Sequence, residues 1–200
     1  GVPIAAAAPR RLSMGLFSRY PFRRLISPDP NAEPKMFVDW VEQTVKGGEY
    51  PVTLVCGETA TWLMAQARER LAPHTRLPLV DMAKFYLCRD KSKTMKEAAR
   101  LGIPIPKTWY PDDVGVDAVA ASIPAYPVVL KPCISNGARG ISYPQNADEL
   151  KALYETTRAA YKSCIVQEFV PHSGMQYKAE VILDAAGKSV CGGVYDKPRF

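Results

Sequence analysis

Lys131 ends an apolar run, Val128-Val129-Leu130, and the chain then enters a loop of small and polar residues, Ser135-Asn136-Gly137-Ala138-Arg139-Gly140, before apolar character returns at Ile141. These residue types in this order suit phosphate. A lysine at a strand end and an arginine in the adjoining loop supply charge for phosphate oxygens. Glycines let the main chain approach a ligand closely, and successive N–H groups in such a loop form a concave anion site. The stretch Tyr126–Tyr143 therefore reads as strand, phosphate-gripping loop and return. Cys133 lies inside it, but neither His74 nor His172 is near it in sequence. It reads as a small apolar filler and not as a nucleophile.

The surrounding elements must position that stretch. Val2–Ala7 reads as a strand, the second of an α/β domain whose first strand and helix are expected upstream. Tyr20 to Pro30 is proline-rich and predicted irregular, with a turn at Pro28-Asp29-Pro30. Phe37, Trp40, Val41, Thr44 and Val45 fall at helical spacing from Pro34, and Gly47-Gly48 ends that helix. Val52–Val55 and Leu77–Val80 read as short buried strands flanking a helix over Glu58–Leu71. Strand alternating with helix predicts a parallel sheet with crossovers. After Asp81 come a short helix at Met82–Leu87, then Asp90-Lys91, then a helix over Lys93–Leu101 that Gly102 ends. Ile103-Pro104-Ile105-Pro106 must be extended. Thr108–Tyr110 is a brief strand and Val114–Ile123 a helix. Asn146 caps a helix reaching about Tyr161. Ile165–Val170 is a strand. Tyr177–Leu183 and Ser189–Tyr195 form an antiparallel pair.

Composition narrows the classes. Of 200 residues, 47% are hydrophobic and 23% charged, as in a soluble globular protein, and the net charge is +6. No run approaches the ~20 apolar residues of a membrane span. Arg10, Arg11, Arg19, Arg23 and Arg24 are clustered but read as a solvated surface, and no Lys/Arg block reads as a nucleic-acid arm. The alanine run precedes its positive charges, the reverse of a secretory signal. The five cysteines, Cys56, Cys88, Cys133, Cys164 and Cys191, show no metal spacing and read as reduced thiols in a cytoplasmic protein.

The order Asp90-Lys91, LGIPIPKT, YPVVLKPCISNGARGI, IVQEFV and QYKAEVILDAAG resembles the ATP-grasp superfamily, most closely its carbamoyl-phosphate synthetase and biotin carboxylase branch. The part before Asp90 resembles the partial Rossmann-like unit preceding that domain in those enzymes. The fold class implied is α/β and α+β: a pre-ATP-grasp domain over 1–88 and the beginning of an ATP-grasp domain over 89–200, with a first lobe at about 89–165 and the start of a second at 166–200.

The resemblance implies that ATP lies between two lobes. Lys91 and Lys131 stand where the family has basic residues that reach phosphate, and two ammonium groups suit a polyphosphate. Gly137, Ala138, Arg139 and Gly140 fall on the glycine-rich flap. Glu168, Phe169 and Val170 match the strand whose main chain pairs with the adenine edge, with apolar walls from Phe169 and Val170. Gln176 falls near a ribose-binding position where relatives often carry a carboxylate. Read without the resemblance, Lys91 fits a solvated helix start and Arg139 an exposed surface. Magnesium is implied, but its ligands are expected beyond Phe200; Glu180 and Asp184 are not assigned to it, and no catalytic residue is assigned.

The implied reaction activates a small-molecule carboxylate as an acyl phosphate for attack by an amine or other nucleophile. The chain is expected to be part of a longer ligase, inactive alone, with no nucleic-acid or membrane partner. Two other readings differ in class. A regulatory nucleotide-binding module would bind ATP without turnover. A basic nucleic-acid binder would show salt-sensitive binding that ATP does not displace.

Overall fold

The computed structural model describes residues 1–171 and 174–196. His172, Ser173, and with them the middle of the 171–175 loop, lie outside the described residues, as do 197–200, the predicted edge of the second lobe. The chain forms two compact units, Gly1–Thr94 and Met95–Phe200.

In the first unit, β1 (Ala5–Ala8) and β2 (Arg23–Ile26) pair in parallel, with α1 (Met14–Phe17) between them in sequence. The predicted irregular segment thus contains a strand. Its two arginines conceal it: Arg23 and Arg24 are exposed, while the pairing is made by the main chain. Helix α2 (Pro34–Lys46) forms where the apolar stripe predicts it and buries Phe37, Val38, Val41 and Val45. These pack with Ala60, Leu63, Met64 and Leu71. The predicted Glu58–Leu71 helix is two pieces, α3 (Glu58–Gln66) and α4 (Arg68–Leu71), divided at Ala67.

The predicted strands at Val52–Val55 and Leu77–Val80 are not strands. Only one parallel bridge forms there, Val52 to Arg76. Thr53 N–H donates to Arg76 O at 3.0 Å, and Arg76 N–H donates to Pro51 O at 2.9 Å. Farther on, the Arg68 guanidinium donates to the carbonyls of Leu79 and Val80, so a side chain takes acceptors that a sheet would have used. Leu54 and Val80 are exposed, which a buried strand would not allow. Helix α5 (Met82–Arg89) is capped by Asp81, which accepts from Lys84 N–H at 2.9 Å. Helix α6 (Lys91–Arg100) begins two residues earlier than predicted, at Lys91, and the division between the units falls within it.

The second unit is built on a three-stranded sheet in the order β3 (Thr108–Trp109), β5 (Cys164–Glu168), β4 (Val128–Pro132), with both pairings antiparallel. The predicted 114–123 helix is α8 (Val116–Ser122); a separate short helix, α7 (Pro111–Val114), precedes it, and Gly115 (φ +88°) divides the two. Val119 and Ala120 of α8, with Leu150 and Tyr154 of α9 (Ala147–Tyr161), bury against Val128, Leu130, Cys164 and Val166. Asn146 caps α9, its side chain accepting from Glu149 N–H at 2.9 Å. The hairpin of β6 (Tyr177–Leu183) and β7 (Ser189–Asp196) is antiparallel and closes at Asp184, whose side chain accepts from Ala186 and Lys188 N–H. Its described residues are all exposed.

Candidate nucleotide site

The site is built on the sheet face turned away from α8 and α9. Side chains alternate along a strand, and directly opposed residues share a face. The register sets Gln167 opposite both Thr108 and Val129, and Lys131 opposite Ile165. These five residues therefore line one face, while Val128, Leu130, Cys164 and Val166 line the other.

Lys131 is half-buried on that face. Its Nζ donates to Gln167 Oε1 at 2.7 Å. Gln167 Nε2 donates to Thr108 Oγ1 at 2.9 Å, and Thr108 Oγ1 donates to Pro106 O at 2.8 Å. The Pro104-Ile105-Pro106 segment presents the carbonyl on which this row ends.

The loop that follows returns along the outer edge of β4. Leu130 N–H donates to Ser142 O at 2.9 Å and Ser142 N–H to Leu130 O at 3.0 Å; Val128 N–H donates to Pro144 O. Between these rails the loop turns through three left-handed residues, Gly137 (φ +60°), Ala138 (φ +61°) and Gly140 (φ +73°). Gly140 has no room for a side chain: a Cβ there would lie 2.7 Å from both Pro132 Cγ and Tyr161 Cε2. Gly137 has open space around it, and Arg139 is exposed. The base of the loop is thus clamped and its tip faces solvent.

At the end of β5, Glu168 N–H donates to Lys107 O at 2.9 Å, and its carboxylate accepts from Lys107 N–H at 2.8 Å. Glu168 is therefore fastened to the strand edge through both main chain and side chain. Phe169 stands edge-on to Tyr143, with ring centroids 6.0 Å apart, which ties the strand to the return of the loop. Val170 is exposed and Gln176 half-buried.

The second unit thus brings together Lys131, the Gly137–Gly140 loop, and Glu168 and Phe169. Lys91 belongs to the first unit, at the first turn of α6, where Asp90 Oδ1 accepts from Ser92 N–H at 2.9 Å. Gln167 was missed by the sequence reading. A signal was available: Cys164-Ile165-Val166-Gln167 lacks polar alternation, so both faces are buried there, and a glutamine in such a run needs partners.

Among the described residues no three His, Cys, Asp or Glu side chains gather as metal ligands. Glu180 is engaged by Lys178 at 2.6 Å and Tyr195 at 3.2 Å, and hydrogen bonds first from Lys178 hold its carboxyl below the usual range. Asp184 is occupied by its own turn.

A sequence profile described as the carbamoyl-phosphate synthase L chain ATP-binding domain matches residues 90–196. A cyanophycin synthetase of Geminocystis herdmanii is 35% identical over 102 residues, covering 48% of this chain and 11% of that protein. Among solved structures, an N5-carboxyaminoimidazole ribonucleotide synthetase in complex with ADP superposes with a TM-score of 0.71 at 14% identity, covering 99% of this chain and 48% of its own. The biotin carboxylase domain of Hydrogenobacter thermophilus 2-oxoglutarate carboxylase, solved with MgADP and bicarbonate, gives 0.69 at 18% identity, covering 98% of this chain and 45% of its own. The chain therefore spans about half, or less, of the relatives it matches, and at these identities the structural likeness carries the fold alone. The profile match extends over more than half of the chain, and with it the chain belongs to the family of the carbamoyl-phosphate synthase L chain ATP-binding domain, within the ATP-grasp superfamily.

Proposed function

We propose that this chain supplies the ATP-holding part of a ligase that activates a small-molecule carboxylate as an acyl phosphate. Lys131 carries the reading. Its ammonium is fixed on a sheet face by Gln167, beside a loop whose left-handed residues and clamped base suit a phosphate cover. Lys131 neutralises polyphosphate charge, and Gly137, Ala138, Arg139 and Gly140 enclose it. Phe169 and Val170 wall the adenine, the main chain from Glu168 onward faces its edge, and Gln176 reaches the ribose. The profile match beginning at residue 90 supports a domain division of 1–88 and 89–200. The Hydrogenobacter relative's MgADP and bicarbonate support magnesium as the companion ion and a carboxylate-like acceptor. Magnesium, when bound, neutralises phosphate charge; among the described residues no three His, Cys, Asp or Glu side chains gather to hold it. No helix among the described residues is long and apolar enough to cross a membrane, and we assign a cytoplasmic location.

The test is calorimetry of the native protein with ATP, followed by hydroxylamine trapping across a panel of carboxylates. Lys131→Ala is expected to weaken ATP binding about tenfold or more, as for loss of a charge-assisted contact. Unchanged affinity rejects the phosphate assignment. ATP binding with no trapped hydroxamate under any carboxylate favours a regulatory nucleotide-binding module.

A further inference from the structure

Four serines of this chain have an arginine three residues before them: Ser13, Ser27, Ser92 and Ser142, behind Arg10, Arg24, Arg89 and Arg139. An arginine-directed Ser/Thr kinase reads that spacing with carboxylates in its peptide groove, and a second arginine at the next position adds to it. The structure separates the four. Ser27 is only 8% exposed, and its Arg24 donates to the carbonyls of Leu16 and Ser18. Ser92 lies inside α6, follows the acidic Asp90 by two residues, and its Arg89 is paired with Glu58 at 2.6 Å. Ser142 is bonded to Leu130 through both main-chain groups, and its Oγ is buried. Ser13 differs in each respect. Arg10 and Arg11, three and two residues before it, are exposed. Its neighbours Leu12 and Met14 are 81% and 91% exposed.

The local backbone suits presentation. Ser13 is half-buried in a turn where its N–H donates to Arg10 O at 3.0 Å, and its hydroxyl makes no capping bond to α1. Arg10, Arg11 and Leu12 are all exposed, so straightening this turn in a kinase cleft uncovers no core. Residues 1–28 hold five arginines and no Asp or Glu. The nearest acid in sequence is Asp29, whose carboxyl is held below the usual range first by the Asn31 N–H and last by the Arg10 charge. A bidentate guanidinium–carboxylate contact in a kinase outweighs that weak attraction. We infer that Ser13 is the phosphoacceptor for an arginine-directed Ser/Thr kinase, which recognises Arg10 and Arg11. In the transfer, Ser13 Oγ bonds to the γ-phosphorus of the kinase's ATP, the bond to the β–γ bridging oxygen breaks, ADP leaves, and the hydroxyl proton passes to the kinase's catalytic carboxylate. The product places a phosphate in a segment whose charged side chains are otherwise all positive. The inference is independent of the nucleotide reading.

The experiment incubates the native protein with ATP and the catalytic subunit of an arginine-directed Ser/Thr kinase. Phosphate is counted by intact mass and located by tandem mass spectrometry. Phosphate on Ser13 is expected, absent without the kinase and lost in Ser13→Ala. Arg10→Ala and Arg11→Ala are each expected to lower the kinase's kcat/KM about tenfold or more, the scale of one charge-assisted contact. Phosphate on Ser27, Ser92 or Ser142 with Ser13 unmodified overturns the inference. So does modification of Ser13 at the native rate when both arginines are replaced, which would mean that they do not direct it. Phosphate on Ser13 without added kinase also overturns it, because the transfer would then be the chain's own. Should the alanine variants fail to fold, Arg10→Lys keeps the charge but loses the guanidinium fork: about a threefold loss in kcat/KM is expected, and no loss overturns the inference.

Discussion

Glu168 grips Lys107 twice, once through its N–H at 2.9 Å and once through its carboxylate at 2.8 Å. β3 has only two residues, so its pairing with β5 is short. The carboxylate supplies one more rung beyond it. Glu168→Ala removes the acceptor for Lys107 N–H, and because the group is exposed the cost is expected to be small, about 1 kcal/mol in urea unfolding. Glu168→Gln keeps an acceptor and is expected to lose about half of that. Amide exchange at Lys107 should accelerate in the alanine variant and much less in the glutamine variant. Equal protection in all three would show that the carboxylate does not hold the edge.

Gly140 and Ala138 are both left-handed, yet substitutions at the two are expected to act in opposite directions. At Gly140 a Cβ would collide with Pro132 and Tyr161, and φ +73° adds backbone strain. Gly140→Ala is expected to cost about 2–3 kcal/mol. Trimming the ring, as in Gly140→Ala with Tyr161→Ala, should recover the part of the collision that the ring makes, leaving the Pro132 contact and the strain. Ala138 already carries a Cβ at φ +61°, so Ala138→Gly relieves about 1 kcal/mol. The greater freedom of glycine in the unfolded chain offsets part of this, leaving a gain of a few tenths of a kcal/mol. Denaturation midpoints of the three variants check the signs.

These features differ in how far the sequence exposes them. The α2 stripe and the Asn146 cap are local: spacing and a side-chain acceptor determine them, and each forms as expected, while Pro104–Pro106 lies outside any helix. The 52–55 and 77–80 runs have strand composition but little pairing, because Arg68 takes carbonyls of the second run and one bridge exhausts the first. Strand β2 has the opposite character, with exposed arginines on a main chain that pairs well. In both cases the decisive partner is remote in sequence. The same holds at the site: Lys131 and the glycine loop are legible as residue types, whereas Gln167 matters through Thr108, 59 positions away.

Asp112 joins three elements. Its carboxylate accepts from Tyr154 Oη at 2.8 Å and from Cys164 N–H at 2.9 Å, with Arg158 Nε at 3.9 Å. Burial, then the hydrogen bond to Asp112, pushes the Tyr154 hydroxyl up to about 12. Burial, then the Asp112 charge, pushes the Cys164 thiol up to about 12. Both groups ionise more readily in the unfolded chain, near their ordinary 10.0 and 9.0. The stability tied to their protonated forms is therefore complete below about pH 9 and lost as pH rises toward 12. Melting temperature should fall over that window, and Tyr154→Phe should flatten the part above pH 10. Asp112→Ala leaves a buried hydroxyl and a buried N–H without their acceptor and is expected to cost about 2–3 kcal/mol at neutral pH. A pH-independent melting temperature between 9 and 12 would contradict the burial of both groups.

Tyr143 and Phe169 couple the return of the glycine loop to the strand end proposed to hold adenine. Their rings meet edge to face at an interplanar angle of 81°, an arrangement worth about 0.5–1.5 kcal/mol beyond buried area. Tyr143 is about half exposed, at 49%, so the lower end of that range applies to folding. Its consequence for binding is distinct. If the contact holds the loop over the nucleotide, Tyr143→Ala should raise the ATP dissociation rate several-fold and change the association rate little, because the enclosing step is what weakens. Tyr143→Phe keeps the ring and should behave as the native chain. In a cycle with Phe169→Leu, which retains an apolar wall for adenine but removes the aromatic edge, the Tyr143→Ala effect should largely disappear. Stopped-flow measurement with a fluorescent ATP analogue separates the two rates. Additive losses in the double variant would mean that the rings act on ATP independently and that the loop is held elsewhere, at the Gly140–Tyr161 clamp.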